Sequence, residues 1–223
     1  MEALIKKEND IFEILQSLAD ANLDFVVVGG YAVSAFKHRF SVDADIVIKS
    51  ENLAGFEKVL IKNRFKKTIS KELEDIYSSK FIRYEKEQAS VDLLIGAVVC
   101  RQTGASFSYD LLYNHSIKKK ITGIEKEIDA RIPVKELLVV MKVHSGRLTD
   151  FRDVAALASG SNLEIIKKFM FIGNLKILKD NLTRLHKAVN DKKFVDSFKG
   201  VFVEKRFDID FEQVRRISEL KPR

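Results

Sequence analysis

Between Asp10 and Ala21 the apolar residues Ile11, Ile14, Leu15 and Leu18 recur every three or four positions, which predicts an amphipathic helix that Asn22 can end. The period then changes. Phe25–Val28 is a short unbroken apolar run, Gly29-Gly30 interrupts it, and Tyr31–Phe36 can open a helix. Asp43–Ile48 reads as a strand, and Ser50 can cap a helix running to about Lys62. Tyr77–Tyr84 and Ala89–Ile95 predict two more strands around the polar turn Glu85–Gln88, and a hairpin across Ile117–Ile128 would turn at Thr122-Gly123. Pro133 fits a first helical turn ahead of the strongly apolar Val134–Val143. Beyond it the spacing predicts only helices, at 150–158, 162–171, 174–190 and 210–220, with a further one at 192–199. The chain therefore divides into a mixed α/β domain over 1–131 and an all-helical domain over 132–223, without repeats or low-complexity tracts.

Composition narrows the class. The longest apolar stretch, Phe25 to Phe36, has 12 residues with two glycines inside, too short for a membrane span. The N-terminus carries acids among its apolar residues and shows no signal-peptide cleavage pattern, so an intracellular, cytoplasmic, soluble protein is expected. One cysteine, Cys100, excludes an internal disulfide, and the four histidines have no ligand spacing, which argues against zinc. Charge is unevenly placed. Residues 1–131 balance 20 basic against 20 acidic side chains, whereas 132–223 hold 19 against 12, so the whole net charge of +7 lies in the C-terminal part. Such asymmetry fits a face turned toward a polyanion, and it fits a Lys-rich solvated helical surface equally well.

The acids in the second strand carry the chemistry. With a period of two, Asp43 and Asp45 project from one face and Val42, Ala44 and Ile46 from the other. Two like charges on one face of an apolar strand repel unless a cation or proton intervenes. Asp92, in "SVDLLIG", is a third acid embedded in a predicted strand. If the two strands are neighbours, three carboxylates converge, and hard oxygen ligands of that kind favour Mg²⁺ or Mn²⁺. Taken singly, each has a plainer account. Gly29-Gly30 can be a simple strand–helix turn, the first two acids can lie on a solvated sheet face, and Asp92 can be satisfied by backbone amides.

A strand ending in Gly-Gly, a short helix, then Asp-x-Asp and a lone Asp on a later strand resembles the nucleotidyltransferase superfamily with the DNA polymerase beta-like fold. "IPVKELLVVMKVHSGRLTDFRDVAAL", 132–157, is similar to the helix-plus-"K…R-x-x-D-x-x-D" segment of the minimal toxin-type nucleotidyltransferases of abortive-infection systems. Thr149 departs from it, standing where a basic residue is more usual. The resemblance implies a mixed sheet with flanking helices, an active site in the cleft before a helical C-terminal domain, and Mg²⁺-dependent transfer of a nucleoside monophosphate from an NTP to an acceptor hydroxyl. It implies that Asp43, Asp45 and Asp92 are the catalytic metal ligands for two ions about 3.5–4 Å apart, with Asp92 able to serve as base. Gly29 and Gly30 would let the backbone approach the phosphates. Lys142, Arg147, Arg39 and Ser34 would contact the nucleotide phosphates.

Other readings of these residues remain open. Lys142 can snorkel from an apolar helix. Asp150 and Asp153 suit the N-cap and third position of the 150–158 helix. The expected acceptor is RNA, in particular a tRNA 3′ end, and a toxin role would imply an antitoxin protein. A small-molecule acceptor of the antibiotic type, a protein acceptor, or a non-catalytic nucleotide- or RNA-binding module are the alternatives.

Overall fold

In the computed structural model, residues 2–72, 80–191, 193–198, 202 and 209–222 are described. The chain forms two compact units, Met1–Val98 with Phe107–Pro133, and Val99–Ser106 with Val134–Arg223.

The first unit is built on five strands in the order β1-β2-β5-β4-β3. They are β1 (Val26–Val28), β2 (Ala44–Ile48), β3 (Lys66–Glu72), β4 (Lys80–Lys86) and β5 (Ala89–Ile95). The β2–β5 pair is parallel and the other pairs are antiparallel, so the sheet is mixed. One face carries the core of the sheet: Ile46, Ile82, Val91 and Leu93 are fully buried. Helix α1 (Glu2–Asp20) packs on β5 through the predicted stripe, and α3 (Leu53–Lys62) packs on α1 with Phe56 and Leu60. The helix begins eight residues before the predicted start, because Glu8 is a buried anchor: its carboxylate accepts the Ile124 backbone N–H at 2.6 Å. Short α2 (Gly29–Ser34) joins β1 to β2, and α4 (Tyr109–Asn114) is N-capped by the Ser108 hydroxyl. The hairpin of β8 (Ser116–Thr122) and β9 (Glu127–Pro133) lies against β1.

Several local expectations change. Ser50 starts a 3-10 turn (Ser50–Asn52), and the N-cap position of the helix that follows is Asn52, without a side-chain cap hydrogen bond. Pro133 closes β9 instead of opening a helix, since Val134 is still extended. Val42 is 62% exposed, because the alternating strand begins only at Ala44. Of the predicted strand Tyr77–Tyr84, residues 77–79 lie outside the described residues, as do 192 and 199 of the predicted 192–199 helix. Within the described residues 193–198 of the latter, Val195–Phe198 form a 3-10 turn. Strands β3, β6 (Ala97–Cys100) and β7 (Ala105–Ser108) and helix α4 had no sequence counterpart.

The second unit contains helices α5 (Lys135–Ser145), α6 (Leu148–Ala158), α7 (Leu163–Met170), α8 (Leu175–Val189) and α9 (Phe211–Ser218). Helix α5 is its centre: every residue from Leu137 to His144 is buried, the pattern of a helix surrounded on all sides. It ends at Gly146, whose φ of +65° suits a left-handed cap, and a Cβ there would meet the Asn181 amide at 2.4 Å. That amide donates to the Val143 carbonyl at 3.0 Å and so satisfies an orphan acceptor of the last turn. Buried His144 bridges the Thr103 hydroxyl and the Met170 carbonyl, both at 2.9 Å, and desolvation holds its imidazole below its ordinary pKa. Burial pushes the Cys100 thiol up to about 12, which leaves it unreactive.

Candidate active site

The register of three strands brings the acids of the first unit together. Asp45 on β2 and Asp92 on β5 are direct partners in the parallel ladder, and Arg83 on β4 is the antiparallel partner of Asp92. Paired residues share a face, so Asp45, Asp92 and Arg83 form a row of charges across the side of the sheet opposite Ile46, Leu93 and Ile82. Asp43 lies one residue before β2.

Arg83 binds this row tightly. Its Nε donates to Asp92 Oδ1 and its Nη2 to Asp92 Oδ2, both at 2.7 Å, a bidentate fork. Nη2 also reaches Asp43 Oδ2 at 3.3 Å. Asp92 is 3% exposed, and an unpaired carboxylate at that depth would be strongly unfavourable. The hydrogen bonds to Asp92, with the charges of Asp92 and Asp43, raise the Arg83 pKa further.

The two glycines have an internal reason to be glycine. Gly29 has φ +67°, and a Cβ on it would stand 2.0 Å from Asp45 Oδ2; a Cβ on Gly30 would stand 2.3 Å from Ser41 Oγ. They clear space for the Asp45 carboxylate and for Ser41, whose hydroxyl donates to the Asp43 carbonyl at 3.2 Å and holds the loop leading into β2. The Arg39 guanidinium lies beside Gly30, 3.5 Å from that hypothetical Cβ, and its Nε donates to the Phe40 carbonyl. Ser34 is turned inward: its buried hydroxyl accepts the Arg39 backbone N–H at 3.4 Å and faces the Thr122 carbonyl.

The donor chemistry suits a hard divalent cation, but the three acids are not alike. Among the described residues no group of three His, Cys, Asp or Glu side chains is arranged to hold a metal ion. Asp43 and Asp45 supply carboxylate oxygens of the kind a hard divalent cation takes, while each Asp92 oxygen accepts one hydrogen bond from Arg83.

Lys142 and Arg147 belong to the second unit, where both serve buried carboxylates. The Lys142 ammonium, itself buried, lies 2.7 Å from Asp153 Oδ2 and 3.3 Å from Asp150 Oδ1. Arg147 forks onto Asp150 through Nε at 2.7 Å and Nη2 at 3.1 Å, while its backbone N–H donates to the same carboxylate. Asp150 is thus the third residue of a helix starting at Leu148, not the N-cap expected from the spacing. Burial alone would raise its pKa, but the Arg147 hydrogen bonds and the Lys142 and Arg147 charges outweigh that and lower it.

Comparison with known proteins supports the fold directly. The solution structure of the antibiotic-resistance factor ANT(2'')-Ia superposes with a TM-score of 0.55 at 14% identity, covering 75% of this chain and 90% of that one. This is the nucleotidyltransferase fold. Two further matches overlap more loosely. One is ANT(2'')-Ia in complex with adenylyl-2''-tobramycin, with a TM-score of 0.48 at 14% identity over 82% of this chain and 97% of that one. The other is an H. pylori protein described as a nucleotidyltransferase, with a TM-score of 0.48 at 20% identity over 98% and 94%. No protein-family model matches the chain, and no curated protein sequence matches it.

Within this nucleotidyltransferase-like fold, the residue missed from sequence is Arg83. The signal was present: a two-residue turn at Glu87-Gln88 pairs Lys86 with Ala89 and therefore Arg83 with Asp92. The expected four-residue turn concealed that register.

The pairing around Lys142 generates a stability prediction. Lys142→Ala removes the ammonium paired with buried Asp150 and Asp153 and should cost about 3–5 kcal/mol in urea unfolding without any nucleotide. A loss below about 1 kcal/mol, the scale of an exposed ion pair, would contradict the structural role.

Proposed function

We propose that this chain is a nucleotidyltransferase that moves a nucleoside monophosphate from an NTP to an acceptor hydroxyl, with Mg²⁺ or Mn²⁺ as cofactor. The observation that carries the reading is the row of Asp45 and Asp92 in strand register, with Asp43 leading into it and Gly29 clearing space for the Asp45 carboxylate. In the reaction the acceptor oxygen forms a bond to the α-phosphorus, the bond from that phosphorus to the bridging oxygen breaks, and pyrophosphate leaves. A divalent cation on Asp43 and Asp45 would draw charge from the triphosphate and the departing pyrophosphate. Asp92 is the proposed base, because each of its oxygens keeps a lone pair beyond the one used by Arg83. Arg39, beside the opening of α2, is the proposed phosphate contact in the first unit, and Ser34 supports it through the Arg39 amide. Lys142 and Arg147 stay in the proposal as further phosphate cations.

RNA is the acceptor we favour. Lys168, Lys176, Lys179, Arg184, Lys187 and Lys193 are exposed on the second unit. There a hollow of about 520 Å³ is lined by Glu164, Lys167, Lys168 and Phe171. An aromatic ring beside ammonium groups suits a base stacked next to its phosphate. Lys192, Lys199, Lys205 and Arg206, counted with these in the sequence, lie outside the described residues. The fold shared with an antibiotic-resistance factor supports a second reading, a small-molecule acceptor. A cationic antibiotic calls for open carboxylates, and the buried acids of the second unit, Asp150 and Asp153, are already paired. A toxin role, with an antitoxin partner, extends the RNA reading.

Two outcomes test this. Asp43→Asn and Asp45→Asn should each abolish pyrophosphate release while shifting stability by no more than about 1 kcal/mol; wild-type turnover in either would sink the assignment. RNA binding should weaken steeply with salt, with a log–log slope near −0.7 per phosphate contact for single strands. Reversing the charges of Lys167, Lys168, Lys176 and Lys179 together should abolish that binding and spare NTP binding. Salt-insensitive transfer with no RNA retained on a filter would favour the small-molecule acceptor.

A further inference from the structure

In the row, Arg83 already holds both oxygens of Asp92 and reaches one oxygen of Asp43. We propose that Arg83 occupies the position at Asp92 that a second metal ion would take, so that this chain loads a single divalent cation, on Asp43 and Asp45. The inference rests on the nucleotidyltransferase reading above.

Four observations carry it. Arg83 meets both oxygens of Asp92 at 2.7 Å, the geometry of a fitted guanidinium–carboxylate fork. Both residues are held opposite each other by the β4–β5 ladder, so the pair is set by backbone register and not by a wandering surface side chain. Asp92 is buried, so Arg83 could leave it only if another cation arrived at the same moment. Nη2 also reaches Asp43, which ties the guanidinium into the remaining acids. A hydrated Mg²⁺, which gives up its waters reluctantly, would have to displace two charge-assisted hydrogen bonds and leave Arg83 beside itself. In this arrangement Asp92 is kept as an oriented acceptor for the proton of the attacking hydroxyl, and Arg83 is its positioning residue.

The test counts metal ions. The wild-type protein, with a non-hydrolysable NTP analogue, is titrated with Mn²⁺ while the resonance of free Mn²⁺ is followed by electron paramagnetic resonance. One bound ion per chain is expected. Arg83→Gln should bind two, and its melting temperature should fall in EDTA and recover on adding Mn²⁺. If Arg83→Gln fails to fold, Asp92→Asn decides: Mn²⁺ affinity should stay unchanged there, while Asp45→Asn should weaken it more than about tenfold. Two ions on the wild type, one on Arg83→Gln, or lost Mn²⁺ affinity in Asp92→Asn would each overturn the inference and leave the transferase reading standing. No Mn²⁺ on any variant, with no transfer, would overturn both.

Discussion

The Arg83–Asp92 pair is the constraint around which the first unit is arranged. A carboxylate 3% exposed on an apolar sheet needs a partner within hydrogen-bond distance, and β4 delivers one in register. That pairing permits Asp45 and Asp43 to stand nearby without three uncompensated negative charges on one face. The rest of the local chain follows from making room: Gly29 yields to the Asp45 carboxylate, Gly30 to Ser41, and Ser41 fixes the loop that presents Asp43.

The second unit meets the same electrostatic difficulty in another way. Asp150 and Asp153 point from α6 into the most buried helix of the unit, and Lys142 answers both from α5. Arg147 completes Asp150 at the start of α6. A motif that reads as a string of charges for substrate is, in the folded protein, also the device that locks two helices together. Any contribution of Lys142 to phosphate binding would be made by an ammonium that is already desolvated and already paired.

Much of this was legible in the sequence where the signal was local. Helical spacing, period-two alternation and short apolar runs located β1, β2, β5, the β8–β9 hairpin and most of the helices. Asp43, Asp45 and Asp92 stood out as charges inside apolar strands, and the ladder does set Asp45 beside Asp92. Arg83 did not stand out, because an arginine alternating with Ile82 and Tyr84 looks like any solvent-facing strand residue until the hairpin register is known. The missing Cβ atoms of Gly29 and Gly30 also make way for the side chains of Asp45 and Ser41, which no local pattern can place. Pro133 carried a true signal with two meanings, since a fixed φ suits a strand end as well as a helix start. The grouping of Val99–Ser106 with the C-terminal helices is a long-range packing choice with no mark in composition.

The row of Asp43, Asp45 and Asp92, held by Arg83, is the proposed seat of nucleotidyl transfer. Incubating the protein with each α-labelled NTP in turn, Mg²⁺ and total RNA tests it most directly. Label from at least one NTP should become covalently attached to RNA, and Asp45→Asn of native stability should transfer none. Label that stays entirely in the nucleotide pool with folded wild-type protein, or that is transferred equally by Asp45→Asn, would contradict it.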